Sequence, residues 1–309
     1  MKITAIVITR NEERNIGDCL ASIPFVDEVI VVDSGSVDGT EEICRRNPRV
    51  RWFLEPWKGF GPQKNSALDK AENDWVLSID ADERVTPELA REIASLPLLE
   101  SGVNGYRIPR RSFFGKDWVR HGGWYPDYTI RLWRRRAGRF VERSVHEVVR
   151  VEGTVGTLRG DLLHHTYMDI ADFVERMNRY STLGAGELRK KGVRCTAFDL
   201  LFRPPFTFFR MYVLRLGFLD GALGFRLAVL YAMYTFLKYA KARNMSSYVA
   251  GGRVTATAAW PRCQHWTAGQ AQGRALYYLA LAGAATWRRS LLSAPIATPP
   301  RSTTCSSLS

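Results

Sequence analysis

In the stretch WVLSIDADERV, residues 75–85, an apolar run leads straight into two carboxylates, Asp80 and Asp82, separated by one small residue. A buried strand ordinarily ends in turn residues, so acids at this place imply something to hold. At a strand-to-loop junction both side chains can turn towards one cation. Carboxylate oxygens suit a hard divalent ion, Mg2+ or Mn2+, which also bridges phosphates. Surface acids commonly share this spacing, and it is the position behind a fourth apolar run that gives the pair weight. A second stretch, VVDSGSVDGT (31–40), runs from an apolar segment into Asp33, Ser34, Gly35 and Ser36. Gly35 lets backbone approach a ligand closely, and a carboxylate here can accept from base or ribose donors. The same residues also read as a helix-capping turn, with Ser36 or Asp38 capping a helix that contains Glu41. The two readings are compatible.

These residues need a frame. Strand-length apolar runs recur at 3–9, 28–33, 50–55 and 74–80, and polar segments with helical spacing lie between them at about 12–22, 38–46 and 62–72. Strands apolar on both faces that alternate with helices predict an open, mostly parallel α/β sheet. Ligands of such sheets gather at the carboxyl ends of the strands. Those ends here read TRNEE, DSGSVDGT, EPWKGFG and DADE. From 105 to 167 short strands, turns, aromatics and arginines predict a mixed-sheet half covering the crevice, and 169–190 reads as a helix.

The 309 residues carry a formal net charge of +13, with a local excess between Arg107 and Arg150 of twelve Lys/Arg over four Asp/Glu. An anionic partner is implied: phosphorylated substrate, acidic membrane surface or nucleic acid. No helix-turn-helix, zinc or RNA-recognition signature accompanies the charge, which sets a nucleic-acid-binding protein behind the other readings. Five scattered cysteines without a CxxC pair indicate neither a disulfide framework nor a zinc site and fit a reducing cytoplasm. The first apolar run is too short for a signal peptide. Segment 198–243 is rich in Phe, Leu and Tyr, but its longest uncharged run, Leu227 to Leu237, has eleven residues. A bilayer span needs roughly 20. Arginines and lysines punctuate the segment, predicting in-plane amphipathic helices at a membrane surface, with core helices as the alternative. Residues 246–309 hold six Arg and no Asp, Glu or Lys, the composition of a low-complexity, poorly ordered tail.

The order of the motifs AIVITRNEERNIGDCLASI, VIVVDSGSVDGT, GFGPQKNSALDKAENDWVLSIDADERV, GYRIPRR, RHGGWYPD, RLWRR and VHE resembles glycosyltransferase family 2 over residues 1 to about 245. Within it the chain is similar to bacterial lipopolysaccharide core glucosyltransferases. The resemblance implies inverting transfer on a GT-A nucleotide-diphospho-sugar transferase fold. It divides the chain into a nucleotide-sugar-binding α/β half (1–104), an acceptor-binding half of the same catalytic domain (105–190), membrane-associating amphipathic helices (191–245) and the tail (246–309). Thr9, Asn11, Glu12, Asp33 and Ser34 would line the nucleotide pocket, and Lys64 and Asn65 would reach the ribose or diphosphate. Many family members carry Asp-Asp-Gly-Ser where this chain has Asp33-Ser34-Gly35-Ser36, which leaves the preference for uracil open. Asp80 and Asp82 would hold the diphosphate and the metal, with His146 a further metal contact. Asp127 is the general base in this reading and Glu147 its rival. Trp124 and Tyr125 would stack on sugar, and Arg131 would meet a phosphorylated acceptor. The implied donor is UDP-glucose and the implied acceptor a lipopolysaccharide core or other lipid-linked saccharide, at the inner face of the cytoplasmic membrane. A polyprenyl phosphate acceptor is the alternative within the family, and a catalytically dead saccharide binder is disfavoured by the retained acids.

Overall fold

The four apolar runs form neighbouring parallel strands because each is apolar on both faces and must be covered on both. In the computed structural model, which describes residues 2–97, 102–141 and 148–248, the chain begins β1 (Ile3–Thr9), α1 (Ile16–Ala21), β2 (Glu28–Asp33), α2 (Thr40–Arg45), β3 (Val50–Leu54), α3 (Phe60–Lys70) and β4 (Trp75–Ser78). The strands lie in the order β3-β2-β1-β4, all parallel. Alternate side chains feed two cores. Ala5, Val7, Val29, Val31 and Leu77 pack under Ile16 and Leu20 of α1, while Ile6, Ile30, Val32 and Val76 pack under Ala67 and Leu68 of α3. Helix α1 starts later than its periodicity predicts. Asn11 is in the left-handed region, φ 56°, which no helix tolerates, so residues 10–12 form a loop and the Glu12 carbonyl, accepting from Asn15 and Ile16, leads through a turn into α1.

The second half comprises β5 (Glu83–Val85), α4 (Pro87–Ser95), β6 (Val103–Phe114), β7 (Asp117–Trp118), β8 (Asp127–Arg134), β9 (Gly138–Val141), β10 (Val148–Val151), β11 (Thr154–Thr157) and β12 (Leu162–Tyr167). It continues the sheet of the first half. Strand β8 pairs antiparallel with β4, and the sheet continues β4-β8-β6-β12-β5, with β11 and β7 also on β6. The physical reason is in β8 itself: Leu132 and Trp133 are both fully buried on opposite faces, so β8 is an interior strand. The sheet is therefore mixed, parallel on one side of β4 and mostly antiparallel beyond it. Strands β9 and β10 make a separate antiparallel pair.

Three helices follow: α5 (Ile170–Lys190), α6 (Ala197–Phe209) and α7 (Gly221–Tyr248), with a π-helical turn at Arg210–Leu214 and a 3-10 turn at Gly217–Asp220 between the last two. The side chain of Asp169 caps α5 by accepting from Asp172, and Thr196 with Asp199 forms a capping box on α6. Phe173 and Met177 of α5 pack with Leu223 and Leu227 of α7 against Phe114 and Val119. No helix among the described residues is long and apolar enough to cross a membrane. Of the predicted tail, 246–309, residues 246–248 end α7 and those from 249 on lie outside the described residues, as do His146 and Glu147.

Candidate active site at the strand ends

The acids after β4 are aimed by alternation. Ile79 and Ala81 are buried, 1% and 4% exposed, which turns Asp80 and Asp82 the other way, towards the ends of the parallel strands. A tight turn then fixes them: the Glu83 amide donates to the Asp80 carbonyl at 2.9 Å, and the Glu83 Oε2 accepts from the Asp80 amide at 3.0 Å.

Asp80 pairs through Oδ1 with Lys64 Nζ and through Oδ2 with Arg131 Nη2, each at 2.7 Å. Burial alone would raise this carboxyl, but Arg131 and Lys64 outweigh it and hold it well below the usual carboxylate range. The same Arg131 nitrogen donates to Glu83, a fully buried acid. Glu83 in turn meets Arg110 Nη1 at 3.5 Å. Arg110 then clamps Asp127 with Nε at 3.0 Å and with Nη2. Six side chains from α3, the β4–β5 turn, β5, β6 and β8 thus form an alternating row, Lys64, Asp80, Arg131, Glu83, Arg110, Asp127, that joins the acids after β4 to the candidate base. Arg131 is not where the resemblance implies. It is 6% exposed inside this row and not on an acceptor surface, because buried Glu83 and partly buried Asp80 both take its guanidinium.

Asp82 meets a different partner. His164 of β12 brings Nε2 to 3.5 Å from Asp82 Oδ2, and the adjacent His165 turns the other way to stack on Phe113. Burial would raise the Asp82 carboxyl, yet His164 lowers it below its usual value. Arg176 of α5 and Glu12 both act electrostatically on this acid or feel its charge, placing them around the same spot. Glu12 is held at about 7, first by burial and further by Asp82 and Asp38, against the opposing effects of Asn15 and Arg176.

The loop after β2 is built from its own side chains. Asp33 accepts from the Thr9 hydroxyl at 2.8 Å, from the Gly35 and Ser36 amides at 2.8 and 2.7 Å, and from the Ser36 hydroxyl. With Asp33 1% exposed, its oxygens hold the turn, and a base would be read by what the turn presents. Gly35, at φ 90°, supplies the backbone that turn requires. Ser34 gives its hydroxyl to the Thr9 carbonyl at 3.2 Å. Asn11 links the two loops, its amide donating to Ser36 Oγ at 2.8 Å and its Oδ1 accepting from Val37 at 2.9 Å.

Two other expectations are corrected. Asn65 does not point to a ribose: its amide exchanges two hydrogen bonds with the Phe140 backbone, at 2.9 and 3.0 Å, and so docks β9 onto α3. Trp124 packs edge-on against Tyr167 and Tyr231, part of the contact between this loop and α7. Tyr125 donates its hydroxyl to Asp161 at 3.0 Å and sits edge-on to Trp118. That indole is flanked by the guanidinium groups of Arg111 and Arg120, at 4.7 and 4.5 Å. Sequence reasoning missed Glu83, Arg110, His164 and Arg176. The signal for His164 was available, since alternation along a strand rules out a pair of neighbouring ligands but leaves either one free to face the site.

The family model for glycosyl transferase family 2 matches residues 4–150. A lipopolysaccharide core biosynthesis glycosyltransferase, LpsC of Rhizobium meliloti (strain 1021), is 33% identical over 252 residues, covering 78% of this chain and 92% of the relative. A glycosyltransferase of Rickettsia typhi, RT0209, whose role is uncharacterized, is 30% identical over 257 residues, 79% of this chain and 88% of its own. Among solved structures, TarS 1–349 of S. aureus is similar with a TM-score of 0.42 at 18% identity over 81% of this chain and 92% of that one. The mannosyltransferase PcManGT of Pyrobaculum calidifontis, solved with GDP-Man and Mn2+, has a TM-score of 0.43 at 16% identity over 94% and 82%. With a relative of that identity aligned over nearly its whole length, and a sheet whose parallel strands end in the acids described above, the chain belongs to glycosyl transferase family 2.

Proposed function

We propose that the protein is a metal-dependent inverting glycosyltransferase that transfers glucose from UDP-glucose to a lipid-linked saccharide, a lipopolysaccharide core acceptor, at the inner face of the cytoplasmic membrane. The observation that carries this reading is the alternating row from Lys64 to Asp127, which links the donor-side acids to a carboxylate at the start of β8. Lys64 and Arg131 keep Asp80 ionised at the mouth of the nucleotide crevice. Asp127 is 42% exposed at its side chain, accessible to an incoming hydroxyl and held in position by Arg110. As general base it takes the acceptor proton as that oxygen attacks the anomeric carbon on the face opposite the leaving diphosphate.

The residues fit a divalent ion. Asp82 and His164 converge from the β4–β5 turn and β12 as one oxygen and one nitrogen donor. Among the described residues no group of three or more His, Cys, Asp or Glu side chains is gathered for a metal. One or two protein ligands, the Asp82 carboxylate first among them, suffice for Mg2+ or Mn2+ where diphosphate and water complete its shell. Held by Asp82 and His164, the ion would supply charge neutralisation to the departing diphosphate.

Scanning fluorimetry with UDP, GDP and CDP, each with and without Mn2+, tests donor and metal together. At one hundred times its dissociation constant a native-state ligand adds about 2.7 kcal/mol of stability. The expected result is a Mn2+-dependent shift with UDP that disappears in Asp82→Ala. No shift with any nucleotide would refute the reading.

A further inference from the structure

Helix α6 is thirteen residues long, is mostly apolar, and has no buried residue. Phe198, Phe202 and Phe206 are 65%, 50% and 58% exposed along it. It packs on α7 with Arg203 over the Tyr239 ring, Thr207 beside Thr235 and Phe208 against Phe225, so the two helices run antiparallel. Helix α7 buries Leu223 and Leu227 on one side and leaves Phe225, Val229, Met233 and Phe236 exposed at helical spacing on another. The connection between them continues the apolar surface with Leu214, Leu216, Phe218 and Leu219, all exposed. Soluble chains rarely leave so many large apolar side chains uncovered over one contiguous segment.

The charges of the segment point to the occupant. Arg203, Arg210, Arg215 and Arg226 are exposed among these side chains. The two acids are engaged: Asp199 with Arg203 and the α6 cap, and Asp220 with His121. A surface that is apolar, rimmed by four arginines of which Arg203 alone is paired with one of the segment's two acids, and carried on helices that are not long and apolar enough to span fits the interface of an anionic bilayer.

We propose that the α6–α7 hairpin and its connecting turn lie in the plane of an anionic membrane, apolar side chains in the acyl boundary and arginines among the headgroups. The docked turn is fastened to the candidate acceptor loop. Asp220 Oδ2 accepts the Arg120 and His121 amides at 3.1 and 2.8 Å, its Oδ1 meets His121 Nδ1 at 2.7 Å, and the Arg215 carbonyl accepts from Gly122 at 2.8 Å. Gly123, at φ 88°, lies against the Arg215 side chain, where a Cβ would displace it. Membrane contact thereby sets the position of the loop that leads to Tyr125 and Asp127. The inference deepens the reading of a lipid-linked acceptor and rests on it only for its purpose.

The test uses the full chain and no donor or acceptor, so its failure leaves the transfer reading standing. Flotation is measured with phosphatidylcholine vesicles with and without phosphatidylglycerol, for the native protein, for Leu214→Ser/Leu216→Ser/Leu219→Ser and for Arg210→Gln/Arg226→Gln. The native protein is expected to float with phosphatidylglycerol vesicles and much less with phosphatidylcholine alone. The leucine variant should lose at least tenfold in partitioning, and the arginine variant several-fold with the lipid-charge dependence flattened. Native-level flotation by both variants with unchanged melting temperatures would overturn the proposal. So would a native protein that ignores both vesicles and forms a dimer that the leucine changes dissociate. Should the leucine variant fail to fold, the arginine variant alone decides, since its side chains are exposed.

Discussion

Glu12 carries a titration that its position makes measurable. In the unfolded chain this carboxyl loses its proton near 4.5, whereas burial moves it to about 7 in the folded protein. Between those values the folded state binds the extra proton, so Glu12 subtracts from stability progressively as pH rises from 4.5 to 7 and fully above. Glu12→Gln is expected to raise stability by about 1–3 kcal/mol at pH 8 and by nearly nothing at pH 4, read by thermal melts at the two values. Equal melting temperatures of the two proteins at pH 8 would show that the acid is well solvated. Asp127 belongs to a different kind of test. As the proposed base, Asp127→Asn should lower kcat by about 10²–10⁴-fold while nucleotide still protects the protein from unfolding. Retained turnover would assign the proton transfer elsewhere. Asp80 and Asp82 were legible in the sequence because two acids after an apolar run are unusual. Glu83, next to them, was not, because nothing local distinguishes a charged residue about to be fully buried from one about to be solvated. Its burial depends on Arg110 and Arg131, 27 and 48 residues away.

Helix α3 is what carries Lys64 to Asp80, and Glu55, immediately beyond β3, secures it. Its carboxylate accepts from Lys70 Nζ at 2.6 Å, from Ser66 Oγ at 2.7 Å and from Lys58 Nζ at 2.9 Å. The bond from Lys70 is the main cause that lowers this acid to about 2, against burial, with Lys58 and Ser66 adding to it. A depressed carboxyl contributes stability that is present above 4.5 and lost as pH falls towards 2. Glu55→Gln should therefore cost about 1–2 kcal/mol at pH 7, after allowance for the water around half-exposed Lys58, and only a few tenths of that at pH 2. Urea unfolding at both pH values measures it, and a difference that persists undiminished at pH 2 would rule out ionisation as the cause. The elements themselves were readable where their pattern is local: all four parallel strands stand at their apolar runs. The pairing of β8 with β4 was not readable, since it joins residues 75–77 to 132–134 and depends on register and not on composition. Strand β5, three residues long, carries too short a pattern to announce itself.

For the molecule as a whole, composition left the last helices between membrane surface and core, and α7 shows why one pattern supports both. One side of it completes the cluster that contains Phe114, Phe173 and Met177; another side is bare. Leu227, 2% exposed, belongs to the first side. Leu227→Ala should cost about 2–5 kcal/mol, as much as a truncation under the central sheet, and chemical denaturation would show it. A cost below about 1 kcal/mol would mean that α7 is an appendage and not a wall of the core. The same dependence explains why the helices cannot simply be cut away to produce a smaller soluble enzyme: Phe114, Val119 and Phe173 would lose their cover.

The row of six alternating charges has a consequence for how this sequence can drift. Each interior member touches two neighbours of opposite sign, so a change of sign at any one of them leaves two partners stranded at once. Exchanging the charges of Arg131 and Glu83 together still sets like against like at Asp80 and at Arg110, so restoring the alternation after any one reversal requires reversing all six members of the row.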